Sequence, residues 1–381
     1  MEFDCRAVLV DRIRGSGPIT VAEYMEVALY APGAGYYARA VQRSGRAGDF
    51  VTSVDVSPLF GELLAVQIAE LLHQLPPGAG PGDFHLVEAG AGNGRLSRDI
   101  LDALARRDPS LYDTIQLHLV ERSAAARDAQ ADVLGPHARK LTSSSSDLPD
   151  DIGAGVLVAN ELLDAFPVHL VVMTPAGLGE IYIDVDGESL VERLGPLSTK
   201  RLARYFEDLG ITLHPGAVVD VNLAAVDWIQ KASRRLARGF VILIDYGYEA
   251  RTMYDQPNAV ATLTAFARHM ADPPEPGRRG TPAWLAAPGT RDLTSHVDLT
   301  TLRREAARAG LSPLMFSSQS RFLLDLVERS GLVGDLERPD RLRDRLALKS
   351  LLVPGGLGSS HSVLVFGKNV ETATRARAGG S

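Results

Sequence analysis

The segment LVEAGAGNGRL, residues 86–96, is the most informative part of the chain. An apolar run ends in an acid, Glu88, and leads into three glycines at alternate positions, after which leucine and isoleucine recur at helical spacing. Glycine at such a turn lets the backbone bend sharply and lets a ligand approach closely, and a helix N-terminus offers unpaired N–H groups. The segment therefore predicts a strand, a ligand-binding turn and a helix, with an ordinary strand–helix turn as the alternative.

The spacing of these glycines separates two classes of nucleotide-binding protein. A nicotinamide-binding turn requires the order G-x-G-x-x-G, whereas Gly90, Gly92 and Gly94 follow the order G-x-G-x-G. A nicotinamide oxidoreductase is therefore the weaker alternative. An acid followed by three alternating glycines after a strand instead resembles the first motif of class I S-adenosylmethionine-dependent methyltransferases.

Further apolar runs alternate with helical patterns along the chain. The runs at 116–121, 155–159 and 240–244 indicate strands, and residues 123–134 indicate a helix between the first two. Strands that alternate with helices form a parallel sheet with helices on its faces, and strands buried on both faces are continuously apolar. We therefore predict an α/β fold with a mostly parallel sheet.

The stretch 168–220 interrupts this pattern. Residues 168–173 and 180–185 alternate apolar and polar side chains around a turn that contains Pro175. Two such runs joined by a short turn are typical of an antiparallel pair. We therefore predict an insertion into the sheet domain.

The composition disfavours several classes of protein. The 381 residues include 40 Lys and Arg against 47 Asp and Glu, a net charge of −7, which argues against affinity for nucleic-acid phosphates. The single cysteine, Cys5, cannot form an intrachain disulfide, which indicates a reducing compartment. No apolar stretch reaches the ~18 residues of a membrane span, and the N-terminus has neither a signal-peptide nor a typical transit-peptide pattern. We therefore expect a cytoplasmic protein with no membrane partner.

Two acidic residues follow predicted strands near the glycine turn. Glu121 ends the second strand, where its carboxylate can accept hydrogen bonds from both hydroxyls of a ribose. Asp147 ends the polar segment 143–147, which follows the predicted third strand, and it can accept from the amine of an adenine ring. A solvated strand end and a polar surface loop are the respective alternatives.

The segment after the fourth strand contains Asn160, Glu161 and Asp164. The i, i+3 spacing of the two acids puts both carboxylates on one face if this segment is a helical turn, and carboxylates pair with a guanidinium in bidentate geometry. Glu161 and Asp164 are therefore candidate catalytic residues for a cationic acceptor. Asn160 is a candidate contact to the methionine part of a cofactor or to the acceptor. A helix N-terminal acid stabilised by the helix dipole is the alternative.

His296 is a reserve candidate for a general base. It lies with Asp292 and His269 close to a proline-rich stretch at 271–290, and a histidine near an acid can take up a proton. A histidine in a loop is more often a bystander, which is the alternative. No group of His, Cys and acidic residues has metal-ligand spacing, so we expect no metal site.

Taken together, these segments resemble the MidA-type family of class I methyltransferases. This family includes the mitochondrial complex I assembly arginine methyltransferase and bacterial relatives. The resemblance runs in order along most of the chain, over GPITVAEYMEVALYAPGAGYY (17–37), GRAGDFVTS (45–53), FGELLAVQ (60–67), VEAGAGNGRL (87–96), HLVERS (118–123), ANELLDAFPVH (159–169), IDYG (244–247), DLTSHVDL (292–299) and SQSRFLL (318–324).

The resemblance implies an architecture as well as a class. It implies a Rossmann-like core with a seven-stranded, mostly parallel sheet, an N-terminal helical cap and an α+β insertion. On this basis we divide the chain into a cap at 1–80, a methyltransferase core at 81–167 and 239–368, an insertion at 168–238 and a flexible tail at 369–381.

The resemblance also implies the chemistry. S-adenosylmethionine would be the methyl donor, S-adenosylhomocysteine the product, and an arginine of a protein the acceptor in the best-known branch. The element Gly48, Asp49 and Phe50 would fold over the cofactor. The implied cofactor contacts are Gly48, Asp49, Phe50, Glu88, Gly90, Gly92, Gly94 and Glu121. Arg122, Asp147 and Asn160 complete the candidate cofactor-binding residues.

The chain departs from the family pattern near the predicted acceptor site. It has Ala91 where proline is common and Tyr248 where histidine is common, and the stretch at 271–290 is long. A small metabolite or natural product is therefore an alternative acceptor, and a non-catalytic assembly factor that binds the cofactor is a further one. The oligomeric state stays open, with a homodimer as one alternative.

Overall fold

The computed structural model describes residues 4–38, 52–76, 83–267, 270–272, 282–332, 341–352 and 361–371. The element at 48–50, His269 and most of the tail lie outside these residues. The helices that it describes are α1 (Cys5–Ser16), α2 (Val21–Tyr30), α3 (Ser53–Val56), α4 (Leu59–Leu72), α5 (Arg95–Arg107), α6 (Pro109–Thr114), α7 (Ala124–Leu134), α8 (Lys200–Leu209), α9 (Leu223–Arg235), α10 (Ala250–Tyr254), α11 (Ala283–Ala286), α12 (Leu299–Arg308), α13 (Gln319–Ser330) and α14 (Leu342–Leu352).

The strands are distributed over three sheets. Within the described residues they are β1 (Ile19–Thr20), β2 (Phe84–Ala89), β3 (Ile115–Val120), β4 (Leu141–Ser145), β5 (Ile152–Asn160), β6 (His169–Thr174), β7 (Gly177–Asp186), β8 (Ser189–Gly195), β9 (Val218–Val221), β10 (Leu236–Tyr248), β11 (Thr264–Ala267), β12 (Met270–Asp272), β13 (Asp292–Thr294), β14 (Val297–Asp298), β15 (Ser312–Ser318) and β16 (His361–Lys368).

The largest sheet has the strand order β15-β16-β10-β5-β2-β3-β4. The pairs from β10 to β4 are parallel, and β16 runs antiparallel to both of its neighbours. The short β14 pairs with the end of β10. The predicted α/β class and the mostly parallel sheet are confirmed, and the sheet has seven strands in one continuous path with β14 as an eighth beside it.

The central strand β10 shows why the sheet strands are continuously apolar. Phe240, Ile242 and Ile244 point to one face, where α4, α5 and α13 pack. Val241 and Leu243 point to the other face, where α9 and α12 pack. Both faces of the sheet are covered by helices. A polar side chain on either face would therefore need a hydrogen-bond partner, so the strand is apolar at successive positions. This arrangement leaves the carboxyl ends of the parallel strands as the open edge.

A second sheet, with the order β1-β7-β6-β9 and β8 paired to β7, lies in the region of the predicted insertion. Strands β6 and β7 pair antiparallel, as the alternation predicts. Strand β1 from the N-terminal segment joins this sheet, and α1 and α2 pack in the same core. Helix α9, although it lies within 168–238, packs on the main sheet. The domain bounds given above stay a prediction.

Helix α2 links the N-terminal segment to the open edge of the main sheet. A capping box starts it, because the Thr20 hydroxyl accepts from the Glu23 N–H at 3.1 Å and the Glu23 carboxylate accepts from the Thr20 N–H at 2.9 Å. Its buried face includes Tyr24 and Met25, and it ends at Tyr30. Among the described residues, no helix has the length and apolar character needed to cross a membrane.

We expect Phe240→Ala to destabilise the protein by about 3–5 kcal/mol, because it would leave a cavity between the sheet and its covering helices. Phe240 is fully buried, whereas Phe316 on β15 is 45% exposed. Phe316→Ala is therefore the matched control, with a much smaller expected loss. Denaturant unfolding followed by circular dichroism measures both, and equal losses would contradict this account of the core.

Candidate active site

A cleft of about 1190 Å³ opens at the carboxyl ends of β2, β3, β5 and β10. Most of the site residues predicted from the sequence line it. These are Glu88, Gly90, Gly92, Glu121, Arg122, Asp147, Asn160, Glu161, Asp164 and His296. Gly94 lies in the same turn without lining the cleft, and Gly48, Asp49, Phe50 and His269 are outside the described residues.

The three glycines of the turn have different structural roles. All adopt left-handed backbone conformations, with φ of 74° at Gly90, 51° at Gly92 and 86° at Gly94. A Cβ at Gly90 would lie 3.1 Å from the Leu162 side chain, and one at Gly94 would lie 3.2 Å from that of Leu119. A Cβ at Gly92 would meet no atom within 4 Å among the described residues. Gly92 is therefore the glycine that gives a ligand access to the backbone.

Glu121 contacts this turn directly. Its Oε2 accepts from the Gly92 N–H at 2.9 Å, and its Oε1 accepts from the Ser123 N–H at 2.7 Å. Gln130, which the sequence analysis did not identify, donates from Nε2 to the Gly92 carbonyl at 2.8 Å. The carboxylate predicted to meet a ribose therefore lies beside the glycine whose Cβ position is open, as the strand order requires.

Glu88 is held by the first turn of α5. Its Oε2 accepts from the Ser97 N–H at 3.0 Å and from the Ser97 hydroxyl. Burial raises the pKa of Glu88 to about 8, and the Ser97 hydrogen bonds oppose this rise. The hydrogen-bonded Glu88 carboxyl group connects the end of β2 to α5 and so stabilises the glycine turn between them. Its predicted contact with a cofactor stays a prediction.

Arg122 and Asp147 lie at the outer end of the cleft. The Arg122 guanidinium stacks 3.7 Å from the centre of the Tyr30 ring and pairs with Glu26, so it links the core to α2. Asp147 pairs with Lys231. The prediction that residues 143–147 follow the third strand was wrong, because β4 extends to Ser145. Short polar side chains here mark an edge strand rather than a loop.

The acidic segment after β5 is a tight turn and not a helix. Glu161 has a φ of 50°, which is uncommon for a residue with a side chain and places it in the left-handed region. The carboxylate of Asp245 accepts from the Leu162 and Leu163 N–H groups at 3.1 and 2.7 Å. The helical spacing expected for Glu161 and Asp164 was therefore wrong. Both side chains nevertheless line the same cleft, because Asp245 folds the turn back on itself.

Asp164 is buried, and its Oδ1 has no hydrogen-bond partner in the structure, so it is an acid without a counter-charge. Burial, followed by the charges of Asp245, Glu161 and Asp292, raises the pKa of Asp164 well above its usual range. Asp292 accepts from the Tyr37 hydroxyl at 2.7 Å. A cationic group in this part of the cleft would be strongly favoured by charge.

Aromatic residues enclose these acids. Tyr30, Tyr37, Tyr246 and Phe266 line the cleft. The Tyr30 hydroxyl donates to the Ala165 carbonyl at 2.9 Å, and the rings of Tyr30 and Tyr37 stack with centroids 5.5 Å apart. These tyrosines are site residues that the sequence did not predict. The only available signal was their presence in the segments GPITVAEYMEVALYAPGAGYY and IDYG.

His296 lines the cleft. Burial lowers its pKa, which favours the neutral imidazole, and among the described residues its buried Nδ1 has no hydrogen-bond partner. Its ring meets that of Tyr248 edge-on, with centroids 4.9 Å apart. The structure therefore brings His296 to the site, where it can accept a proton.

The arrangement fits S-adenosylmethionine. Gly92 leaves its backbone open to a ligand, and Glu121 lies next to it. Asn160 lines the cleft with a buried Oδ1 that has no hydrogen-bond partner in the structure, so an acceptor is available for an ammonium group. Within the described residues, no cluster of His, Cys and acidic side chains can hold a metal ion.

We expect Asp164→Asn to raise the thermal unfolding midpoint relative to the natural chain at about pH 8 and to have a smaller effect at about pH 4. The native state favours the protonated form of Asp164, whereas the unfolded chain has an ordinary pKa of about 3.9. The natural carboxyl group therefore costs more stability as the pH rises. The exposed Asp132, changed to Asn, is the control. A difference that does not vary with pH would contradict the buried-acid interpretation.

Solved structures of similar proteins are available for comparison. The chain is 31% identical to a likely methyl transferase from Burkholderia thailandensis whose crystal structure contains S-adenosyl-homocysteine. The match covers 99% of this chain and 95% of that one, with a TM-score of 0.84. A native crystal structure from the same organism matches with a TM-score of 0.81.

Curated relatives and a family model agree with this match. The protein arginine methyltransferase NDUFAF7 of human mitochondria is 32% identical over 336 residues, covering 80% of this chain and 70% of that protein. The mouse protein of the same name is 33% identical over 326 residues, covering 78% and 68%. The model of a family described as "Putative S-adenosyl-L-methionine-dependent methyltransferase" matches residues 63–317. The chain therefore belongs to this family of S-adenosylmethionine-dependent methyltransferases.

Proposed function

We propose that this methyltransferase transfers the methyl group to the guanidinium of an arginine in a protein. Relatives from human and mouse are named protein arginine methyltransferases. The single observation that carries the proposal is the buried Oδ1 of Asp164, which has no partner and lies among other acids of the cleft. An unpaired buried carboxyl group is costly unless a ligand supplies the missing donor or charge.

A guanidinium has the chemistry that these acids require. It is a planar cation with five N–H donors, and it binds carboxylates through paired hydrogen bonds. Glu161, Asp164 and Asp292 line one region of the cleft and can receive several of these donors. The ring of Tyr246, which also lines the cleft, can contact the flat cation, as aromatic rings do with arginine.

Gly92, Glu121 and Asn160 would hold the cofactor, which supplies an electrophilic methyl group on a sulfonium. The chain's own contribution is then alignment, which can supply roughly 7–11 kcal/mol of the barrier. Glu161 and Asp164 would orient the guanidinium and take up the proton that it loses as its nitrogen gains a methyl group. A bound guanidinium favours the ionised form of Asp164, and the neighbouring acids then favour uptake of the released proton by Asp164.

A small molecule with a hydroxyl or carboxyl group is the second candidate acceptor. His296 favours it, because a neutral imidazole with an unpartnered Nδ1 can remove a proton from a hydroxyl. In this case the acids of the cleft would have no cationic partner. The two candidates therefore predict different essential residues.

The proposal also includes a protein partner and a location in the bacterial cytoplasm. A protein substrate is expected as the partner, with no nucleic acid. The cytoplasmic location remains a proposal, since the curated relatives are named mitochondrial and the similar solved structure is bacterial.

The acceptor can be identified with labelled S-adenosylmethionine. The purified protein is incubated with the labelled cofactor and with lysate from a strain in which the gene for this protein is deleted. The labelled product is then located by mass spectrometry. Label on an arginine of a protein supports the proposal. Label only on a small molecule, or on another type of side chain, overturns it.

We expect Gly92→Val to abolish the binding of S-adenosylhomocysteine, because a branched side chain would fill the space through which the ligand reaches the backbone. Gly210→Val is the matched control, since Gly210 also has a left-handed φ, 63°, and open space at its Cβ, yet it ends the distant helix α8. Calorimetry measures both variants. Unchanged affinity in Gly92→Val would refute this placement of the cofactor.

We expect Glu161→Gln to leave the affinity for S-adenosylhomocysteine unchanged and to lower methyl transfer about 100-fold, because the amide cannot take up a proton from the acceptor. Glu188→Gln, at an exposed position on the turn after β7, is the control. Calorimetry and transfer of labelled methyl groups give the two quantities. Transfer at the natural level would exclude Glu161 as the acceptor carboxylate.

A further inference from the structure

One oxygen of Glu161 is surrounded by donors from three separate segments. Its Oε1 lies 3.3 Å from the Ser53 N–H nitrogen and 3.2 Å from the Asn160 Nδ2. It also lies 3.6 Å from Nε2 of His361, at the start of β16. These segments are far apart in the sequence, so their convergence on one atom is a product of the fold.

The other oxygen of Glu161 is left for a ligand. Among the described residues, no donor makes a hydrogen bond with Oε2, and Glu161 lines the cleft. The carboxylate therefore has one oxygen held by the protein and one that can receive an N–H of an acceptor. This is the arrangement expected of a group that must be oriented before the acceptor arrives.

His361 is fixed in a position that suits this task. It is buried, it is paired with Tyr246 across β16 and β10, and the two rings lie 3.8 Å apart between centroids. The titratable groups that face it are Glu161, Asp245 and Tyr246. Two of these are carboxyl groups, so a donor at Nε2 is favoured by charge.

We propose that His361 is a positioning residue for methyl transfer, which donates from Nε2 toward Oε1 of Glu161 and thereby presents Oε2 to the acceptor. The inference rests on the proposed function, since Glu161 is there the partner of the guanidinium. Without this donor, the Ser53 N–H and the Asn160 Nδ2 would still contact Oε1, but repulsion by Asp164 and Asp245 would be offset less and the carboxylate would be held less firmly toward the acceptor.

The first test compares His361→Phe with His361→Gln. Phenylalanine keeps a ring against Tyr246 but removes the donor, whereas glutamine keeps a donor. We expect His361→Phe to lower kcat for the arginine acceptor at least about tenfold, with the KM for S-adenosylmethionine within about twofold of the natural value. His361→Gln should recover most of kcat. The buried His118, changed to Phe, controls for the loss of a histidine elsewhere in the sheet.

The second test does not depend on activity. Nuclear magnetic resonance with isotope-labelled histidine gives the pKa of His361, whose signal is identified by its loss in His361→Gln. Removal of a nearby negative charge lowers the pKa of an imidazole, so we expect a lower pKa for His361 in Glu161→Gln than in the natural chain.

The two tests separate the inference from the function on which it rests. If the natural chain methylates no arginine, the proposed function fails, while the magnetic resonance result still decides whether His361 is coupled to Glu161. If arginine is methylated and His361→Phe keeps its kcat, or if the pKa of His361 is the same in Glu161→Gln, the positioning role is overturned.

Discussion

The acidic half of the cleft depends on the carboxylate of Asp245. Its Oδ2 accepts the N–H groups of Leu162 and Leu163, and its Oδ1 accepts that of Tyr246, so one side chain ties the end of β10 to the turn after β5. Burial raises the pKa of Asp245 to about 7, while the Leu163 and Tyr246 N–H groups favour the ionised form. This clamp, together with the hydrogen bond from the Glu161 N–H to the Ile244 carbonyl at 2.8 Å, holds Glu161 in its left-handed conformation.

The clamp concentrates negative charge at a buried part of the cleft. Asp164 and Asp292 complete the group, and tyrosines from the N-terminal segment close it: Tyr37 donates to Asp292, and Tyr30 donates to the Ala165 carbonyl. A core packed on both faces of the sheet can offset the cost of such a group. The N-terminal segment is therefore part of the site, since its helix α2 presents one wall of the cleft.

The sequence predicts the donor half of the site better than the acceptor half. Residues 86–96 contain the strand, the glycines and the helix in one local pattern, and Glu121 follows from the next strand end. The turn at Glu161 could not be derived, because its shape is set by Asp245, 83 residues away from Leu162. Helical spacing was assumed there, and tertiary hydrogen bonds prevailed over it. His361 gave no signal at all, since it has no motif and meets Glu161 only through the pairing of β16 with β10.

The group of acids in the acceptor half of the cleft has a chemical consequence for the reaction. A guanidinium is protonated, and when one of its nitrogens gains a methyl group it must release one proton while the product stays a cation. A site of ordinary ionised acids would bind the cation firmly but accept that proton weakly. The positive charge lost in the reaction is that of the sulfonium, and Asp164, whose pKa is raised by burial and by its acidic neighbours, favours uptake of the proton once the sulfonium charge no longer offsets those neighbours. The several acids in one buried cleft thus serve both cation binding and proton uptake. The bound cation relieves the repulsion among the acids, and that repulsion favours proton uptake as the methyl group is transferred.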